Sequence, residues 1–598
     1  MPHGYHGCYL RIDVSQPAAS ERVQLSDDVL RQCLGGSGLG ARLLLEEGVG
    51  SDFPASDTPE NHSRPHFPDP LSPEAPLIFA FSPLVGSPLT TSAKFAVVSR
   101  SPLTGRFNDS LASSGFAVAG KRTGCDAIVI VGRAPRLSVL VIDDGIVRLE
   151  PADDVAGESC PVTEKRLRAR LGTDYRIASI GPAGERAVRY ATISHDGRHA
   201  GRGGSGAVLG SKNIKAIAVR GTQRVEWAQP RELTELSRDL SKRSFGPATA
   251  KYRELGTAAN LLTFNRFGTL PTRNFQQGTF DDAPNLSPEQ LRTEYSRTRA
   301  SCVACTIGCE HIYSLGGSNV RIEYENLFAL GSLCGVSDHA AVLRASQRCD
   351  ELGIDTISTG GTIAFAMECV ERGLLDVPWL TFGGGAALLQ AVVLIGAREG
   401  LGQLLADGSR RAAEVIGQGS IAFAPQVKGL EIPGYEPRGL QTMALGFAVG
   451  ARGADHNRSG AYDVDFSDKV DRRHATLDSV RYAIETEDKA ALMDSLILCK
   501  FLRRVLEDFY GESAAMLRAV TGWDVTADEL RETATRIVTA KRQVNLLAGW
   551  TLAEDTLPDR FFDSPLPNDP EASLSRERLQ DLVAEYHRQR GWSTISDL

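Results

Sequence analysis

Two hydrophobic rhythms divide this chain. Over residues 1–222, apolar residues come in short or alternating runs, at Cys8–Val14, Leu77–Phe81, Ala127–Val131, Val139–Ile142, Ile177–Ile180 and Ile214–Val219. Each run is bounded by Gly, Pro, Asp or Ser, the punctuation of strands joined by turns. From about residue 228 the apolar positions recur every three or four residues, the period of helices packed on one face. This pattern predicts helices over Arg231–Ser244, Asn326–Val336, Ala340–Leu352, Ser358–Arg372, Leu388–Glu399 and Gly402–Ile416. It continues over Thr476–Leu498, Ser513–Val520, Ala527–Gly549 and Arg576–Gly591. Gly353, Gly373, Gly400 and Gly417 stand where C-caps are expected.

The predicted fold is therefore α+β and multidomain, with a β-rich N-terminal domain followed by two mainly α-helical ones. The boundaries expected are 1–222, 223–424 and 425–598. A length of 598 residues exceeds what one hydrophobic core supports. Residues 51–73 are polar and carry six prolines (Pro54, Pro59, Pro65, Pro68, Pro70, Pro73), which predicts an exposed, inserted loop.

Composition narrows the function classes. An apolar fraction of 42% and a charged fraction of 23% are those of an ordinary globular protein. A net charge of −8 with no Lys/Arg-rich run excludes a nucleic-acid footprint. The first residues carry no basic patch followed by an apolar core, and the longest near-apolar stretch, Ala386–Ala397, is short of the ~20 residues that span a bilayer. The expectation is a cytoplasmic protein with no membrane contact.

The 11 cysteines are unevenly placed. Eight are scattered singly, whereas Cys302, Cys305 and Cys309 form a C-x2-C-x3-C loop. In a reducing compartment single cysteines act as buried fillers and a cluster binds metal. Thiolates at this spacing suit a [4Fe–4S] cubane, with Cys499 as fourth ligand. A zinc site, with His311 near the loop, is the open alternative.

Three further stretches carry chemistry. Asp196-Gly-Arg-His-Ala-Gly-Arg-Gly-Gly-Ser-Gly-Ala207 combines five glycines with Arg198 and Arg202, so backbone N–H groups and guanidinium forks can meet a phosphate. It is neither a P-loop nor a Rossmann fingerprint; Gly35-Gly-Ser-Gly-Leu-Gly40 also fails as one, since Arg31–Leu34 makes no strand. Structural turns remain the alternative for both. Asp350-Glu-Leu-Gly-Ile-Asp355 sets two carboxylates about a glycine, either to accept N–H bonds from a heterocycle or as solvated acids at a helix end. Glu325 and His456 are isolated acid/base candidates, in Ile322-Glu-Tyr-Glu-Asn326 and Arg452-Gly-Ala-Asp-His-Asn-Arg458; an exposed turn histidine is the alternative, and the local pattern alone selects neither.

In this order, these stretches resemble the tungsten-containing aldehyde:ferredoxin oxidoreductase family. The likeness runs over nearly the whole chain. It includes Ser101-Pro-Leu-Thr-Gly105, Ile180-Gly-Pro-Ala-Gly184, Ala200-Gly-Arg-Gly-Gly-Ser-Gly206, the cysteine loop, Cys349–Gly361, Tyr435-Glu-Pro-Arg-Gly439, Cys499 and Arg590-Gly-Trp592.

The resemblance implies a tungsten (or molybdenum) bis-pterin centre and a [4Fe–4S] cluster held by Cys302, Cys305, Cys309 and Cys499. It implies that Asp350 and Asp355 bind one pterin, and that Asp494 and Leu498, in a second copy of the motif, bind the other. Lys94, Ser113, Gly115, Arg202, Gly203, Ser205, Gly206 and Arg458 would complete the cofactor contacts, with a Mg2+ bridging the pterin phosphates. Glu325 and His456 take the catalytic positions, and Tyr324 and Thr356 line the substrate side.

The implied activity is oxidation of an aldehyde to its carboxylate, with ferredoxin or an Fe–S partner subunit as electron acceptor. The alternatives are another low-potential reaction on the same cofactor, such as acyl or aromatic reduction in a larger complex, and a non-catalytic Fe–S electron-transfer subunit. Several residues depart from the family pattern. Ile497 replaces the glycine of the second motif, Lys94 an arginine, Ser113 an asparagine and Arg458 a lysine. Arg344 and Leu389 stand where one branch carries the ligands of an inter-subunit metal, so that site is expected to be missing and the oligomeric state is open.

Overall fold

The computed structural model describes residues 2–49 and 67–592. Most of the expected 51–73 loop therefore lies outside the described residues. The chain forms two compact units. The first comprises Met1–Ala248, Cys302–Thr306 and Ala491–Trp550; the second comprises Thr249–Ser301, Ile307–Ala490 and Thr551–Leu598.

In the first unit, strands β1 (Cys8–Asp13), β2 (Glu21–Gln24), β3 (Leu77–Ala80), β4 (Lys94–Arg100), β5 (Phe107–Ser113) and β6 (Ala127–Val131) make one sheet, in the order β2-β1-β6-β3-β4-β5. Strands β7 (Ser138–Asp143), β8 (Ile146–Pro151), β9 (Arg176–Ser179), β10 (Ile193–His195), β11 (Arg198–Ala200) and β12 (Ile214–Arg220) make the other, in the order β11-β10-β9-β12-β7-β8. Among the described residues, only β1–β6 and β7–β12 pair in parallel.

Alternation along each strand explains the layering. Phe79, Phe95, Val97, Ile128 and Ile130 of the first sheet share a core with Leu140, Ile142, Ala178, Ile217 and Val219 of the second. The opposite faces turn outward. Ile78, Ala96, Val98 and Val129 pack with Leu39 and Leu43 of helix Gly36–Val49 and Val544 of helix Ala527–Leu547. Val141, Ile177 and Ala218 pack with Leu167 of helix Cys160–Leu171. Strands covered on both faces read as unbroken apolar runs, as the sequence pattern does.

The second unit is mainly helical. Helix Thr356–Glu371 has every residue from Ile357 to Cys369 buried, so it is a core helix with no solvent face over that span. Three expectations are corrected here. The segment expected as one helix over Gly402–Ile416 is two, Leu401–Leu405 and Gly408–Ile416, broken where Gly408 turns to φ +85°. Gly400 is not the C-cap of the preceding helix; Arg398, at φ +54°, closes Gly385–Ala397, and Gly400 opens the next one. A three-stranded antiparallel sheet (Arg297–Ala300, Glu310–Leu315, Ser318–Ile322) interrupts the region expected to be helical. Among the described residues no helix is long and apolar enough to cross a membrane.

Candidate functional site

The glycine-rich loop lies in the first unit, between β11 and helix Ser205–Ser211. Gly203 and Gly204 both adopt φ +81°, and a Cβ at either would stand 2.0 Å from Asn108 Oδ1 or from the Arg189 carbonyl oxygen. Only glycine fits. Arg202 is buried and its backbone N–H donates to Ser110 Oγ (3.2 Å), while Asn108 Nδ2 donates to Ser205 Oγ (3.1 Å). Among the described residues the N–H groups of Gly203, Gly204 and Ser205 meet no protein acceptor. Successive amides in this conformation form a concave anion seat. The neighbouring turn is tied to it: Gly115 N–H donates to Asp196 Oδ2 (2.8 Å), and Ser113 pairs across the strands with Lys94. Asn108 and Asp196 were not singled out from sequence, because nothing in their local pattern distinguishes them from other polar turn residues.

Lys94 connects this region to the cysteines. Burial alone would lower the Lys94 ammonium, yet the surrounding Cys499, Cys302, Asp494 and Cys305 outweigh it and hold the group above its usual range. One dipeptide joins the two cysteine segments: Thr91 N–H donates to the Ala304 carbonyl (2.5 Å), and Thr91 Oγ1 accepts from Cys499 N–H (3.3 Å). Thr90 Oγ1 accepts from Thr306 N–H (3.1 Å). Sequence reasoning missed Thr90 and Thr91, which carry no motif. Cys302, Cys305, Cys309 and Cys499 are all partly exposed and none of the 11 cysteines is in a disulfide. Cys309 belongs to the second unit. Among the described residues no three His, Cys, Asp or Glu side chains gather closely enough to hold a single metal ion.

The segment after Asp494 is held from several sides. Asp494 is fully buried and its Oδ1 lies 2.9 Å from Lys500 Nζ. Ser495 Oγ accepts from Gly38 N–H (3.0 Å), the Leu496 carbonyl accepts from Ser82 Oγ (2.8 Å), and Leu498 N–H donates to the Met493 carbonyl (2.8 Å). Ile497 adopts φ +65°, the same left-handed state as Gly353 (φ +72°) in the first motif. The backbone path the glycine position requires is thus kept, although a β-branched residue occupies it.

The second unit holds the other candidates. Asp350 ends helix His339–Leu352, partly exposed. Asp355 caps helix Thr356–Glu371, its two oxygens accepting from Ile357 and Ser358 N–H (3.2 Å each). Thr356, in the first helical turn, lies 3.5 Å from Asn326 Nδ2 on the helix that bears Glu325.

Glu325 and His456 meet. Glu325 sits in the first turn of helix Tyr324–Leu330, whose N-terminus is fixed by a capping box between Glu323 and Asn326. Glu325 Oε2 accepts from Gly434 N–H (3.1 Å), and Oε1 lies 3.6 Å from His456 Nδ1. Tyr324, buried, donates its hydroxyl to the carbonyl of the same Gly434. A Cβ at Gly434 would stand 2.7 Å from the Tyr324 ring, so this clamp requires glycine. His456 opens helix His456–Ser459, capped by Asp455, which accepts from Asn457 N–H (2.8 Å) and Arg458 N–H (3.1 Å). Tyr435 stacks on the imidazole at 4.9 Å and 28°, and Asn457 Nδ2 lies 2.9 Å from His456 Nε2. Gly434 and Asn457 were not foreseen. A carboxylate and an imidazole so placed can take a proton from water and hydrogen-bond a carbonyl oxygen.

The family model described as the aldehyde ferredoxin oxidoreductase N-terminal domain matches residues 9–221, and that for domains 2 and 3 matches residues 235–596. The tungsten-containing aldehyde ferredoxin oxidoreductase of Pyrococcus furiosus is 36% identical over 609 residues, covering 99% of this chain and 97% of that one. That of Thermococcus kodakarensis is 36% identical over 608 residues, covering 99% and 97%. The WOR-like subunit of an aliphatic sulfonate oxidoreductase from Pyrococcus furiosus is 28% identical, covering 99% and 95%. The solved active-site complex BamBC of benzoyl coenzyme A reductase, bound to 1,5-dienoyl-CoA, shares the fold with a TM-score of 0.81 at 22% identity, covering 99% and 95%. The chain belongs to the aldehyde ferredoxin oxidoreductase family of enzymes.

Proposed function

We propose that this enzyme oxidises an aldehyde to its carboxylate, R–CHO + H2O → R–COO⁻ + 3H⁺ + 2e⁻, passing the electrons to ferredoxin or an Fe–S partner subunit. The observation that carries the reading is the Glu325–His456 pair, 3.6 Å apart and each fixed by its own cap or clamp. Glu325 accepts a proton from the attacking water. His456 donates a hydrogen bond to the aldehyde oxygen, whose charge builds as the water adds. Tyr324 and Tyr435 hold the two groups in place, and Thr356 stands on the substrate side. These steps need an electron acceptor that no side chain supplies.

The residues fit such a group. The Gly203–Ser205 amides, Arg202, Ser205, Gly206, Ser113, Gly115 and Lys94 suit pterin phosphates, with a Mg2+ between them. Asp350, Asp355, Asp494, Leu498 and Arg458 are the contacts assigned to the pterin rings. Cys302, Cys305, Cys309 and Cys499 are the thiolates assigned to the cluster. When bound, a tungsten bis-pterin group supplies a two-electron acceptor and a [4Fe–4S] cluster a one-electron outlet. Tungsten rather than molybdenum follows the relatives, which are tungsten-containing enzymes.

The test is metal analysis of anaerobically purified protein, followed by an aldehyde screen with a viologen dye. About one tungsten and about four irons per chain, with aldehyde-dependent dye reduction, support the proposal. Four irons without tungsten or molybdenum, from a host that makes the cofactor, would overturn it in favour of an electron-transfer subunit. A fully loaded protein that ignores aldehydes would favour a different low-potential reaction.

A further inference from the structure

We infer that Asn457 is a positioning residue that fixes the tautomer of His456, keeping the ring in the Nδ1–H form so that its single donor faces Glu325. The inference deepens the proposed reaction and rests on Glu325 and His456 being its reacting pair.

A neutral imidazole has one donor and one acceptor nitrogen, and its neighbours decide which is which. Nδ1 looks toward Glu325 Oε1 at 3.6 Å. An ionised carboxylate only accepts, so it favours hydrogen on Nδ1. Nε2 then carries a lone pair, and the Asn457 carboxamide nitrogen, 2.9 Å away, supplies the N–H that fills it. With the carboxamide reversed, its oxygen would call for hydrogen on Nε2 and favour the other tautomer. With its carboxamide nitrogen facing the ring, Asn457 is thus placed to favour the Nδ1–H tautomer.

The turn that carries Asn457 and the ring it faces are both held by neighbours. Asp455 Oδ1 holds both Asn457 N–H and Arg458 N–H, and Arg452 Nη1 lies 3.4 Å from Asp455 Oδ2. Tyr435 covers one face of the ring, opposing the flip that would exchange its nitrogens. With Nδ1–H as the sole donor, an aldehyde oxygen bound by His456 must come to the Glu325 side of the ring. Hydrogen-bond donor and general base then serve the same carbonyl.

The test is 15N-histidine labelling of the cofactor-loaded protein at neutral pH, with His456 assigned from H456Q. The expected spectrum has protonated-type Nδ1 and unprotonated-type Nε2. In N457L both nitrogens should move toward the average of the two tautomers, with kcat reduced by up to about 100-fold, the scale for a group misplaced by ~1 Å, and KM nearly unchanged. N457D should put a proton on Nε2 and move the acidic limb of the kcat–pH profile upward. Protonated-type Nε2 in the wild type, or unchanged His456 shifts in N457L, would overturn the inference. Because the wild-type spectrum alone decides the tautomer, a poorly folding variant does not spare it. The expected spectrum from a loaded protein that turns over no aldehyde would support the tautomer assignment while refuting the proposed reaction.

Discussion

Glu325 and His456, remote in sequence, stand 3.6 Å apart, and the second oxygen of Glu325 is held by Gly434 N–H at 3.1 Å. The pair therefore behaves as one unit. Glu325→Gln keeps the shape and removes the base; His456→Ala removes the donor. Each should lower turnover by about 10²–10⁴-fold, the range for losing general acid–base assistance. Tungsten and iron per chain should remain at wild-type values, since neither side chain is assigned to a metal. Near-normal turnover in either variant would remove the pair from the mechanism.

Gly434→Ala tests the clamp without touching a reacting group. The added methyl would stand 2.7 Å from the Tyr324 ring, whose hydroxyl is bound to the Gly434 carbonyl, so ring and backbone must part. Overpacking of this kind costs about 1–3 kcal/mol. The same displacement moves the N–H that holds Glu325, and a misplacement near 1 Å costs about 100-fold in rate. Denaturation midpoint and kcat should fall together. A destabilised enzyme with full kcat would show that Glu325 is oriented by other contacts.

Ile497 sets strain against burial. At φ +65° a β-branched residue bears roughly 1–2 kcal/mol of backbone strain, which glycine would release. Yet Ile497 is 1% exposed and packs with Leu39, Leu43 and Val544, and truncating such a side chain costs about 2–5 kcal/mol. Glycine also adds about 0.5–1 kcal/mol of chain entropy to the unfolded state. Burial wins: Ile497→Gly should lower stability by about 1–3 kcal/mol, measured from the chemical-denaturation midpoint. A more stable variant would mean that strain dominates.

These residues also mark what the sequence made legible. Strands buried on both faces, such as Ala127–Val131 and Ile214–Arg220, are uninterrupted apolar runs and stand out. Helix Thr356–Glu371 is announced by the Asp355 cap and by Gly353 before it. Strand Phe107–Ser113 escaped notice because its polar residues bond to distant partners: Asn108 to Ser205 and Asp109 to Lys541. The sheet from Arg297 to Ile322 was hidden by its setting among helices, although Gly316-Gly317 marks its turn. In the candidate site, glutamate, histidine and cysteines carry recognisable chemistry, whereas Gly434, Asn457 and Thr91 act through position alone. Position is a property of the folded chain, and no spacing rule reaches it.

The C-terminal part of the second unit contains a buried charge cluster whose pH response has a definite sign. Asp555 Oδ1 lies 2.8 Å from Lys428 Nζ and Oδ2 lies 2.9 Å from His587 Nε2, with Asp555 and Lys428 side chains 2% and 1% exposed. Burial pushes the Asp555 carboxyl up, but Lys428 and His587 together outweigh it and hold the group below the usual carboxylate range. A folded-state value below the unfolded one means that the unfolded chain binds the proton more readily. The stability contributed by Asp555 is therefore complete above its unfolded value of about 4, and is lost as pH falls through the lower folded value. Asp555→Asn leaves Lys428 buried without its counter-charge and should cost about 3–5 kcal/mol at neutral pH. The measurement is the denaturation midpoint of wild type and variant from pH 7 to pH 3. The gap between them should stay constant down to about pH 4, then narrow as the wild-type carboxylate protonates. A gap that widens on acidification would reverse the sign and remove Asp555 from the groups that stabilise the fold as an anion.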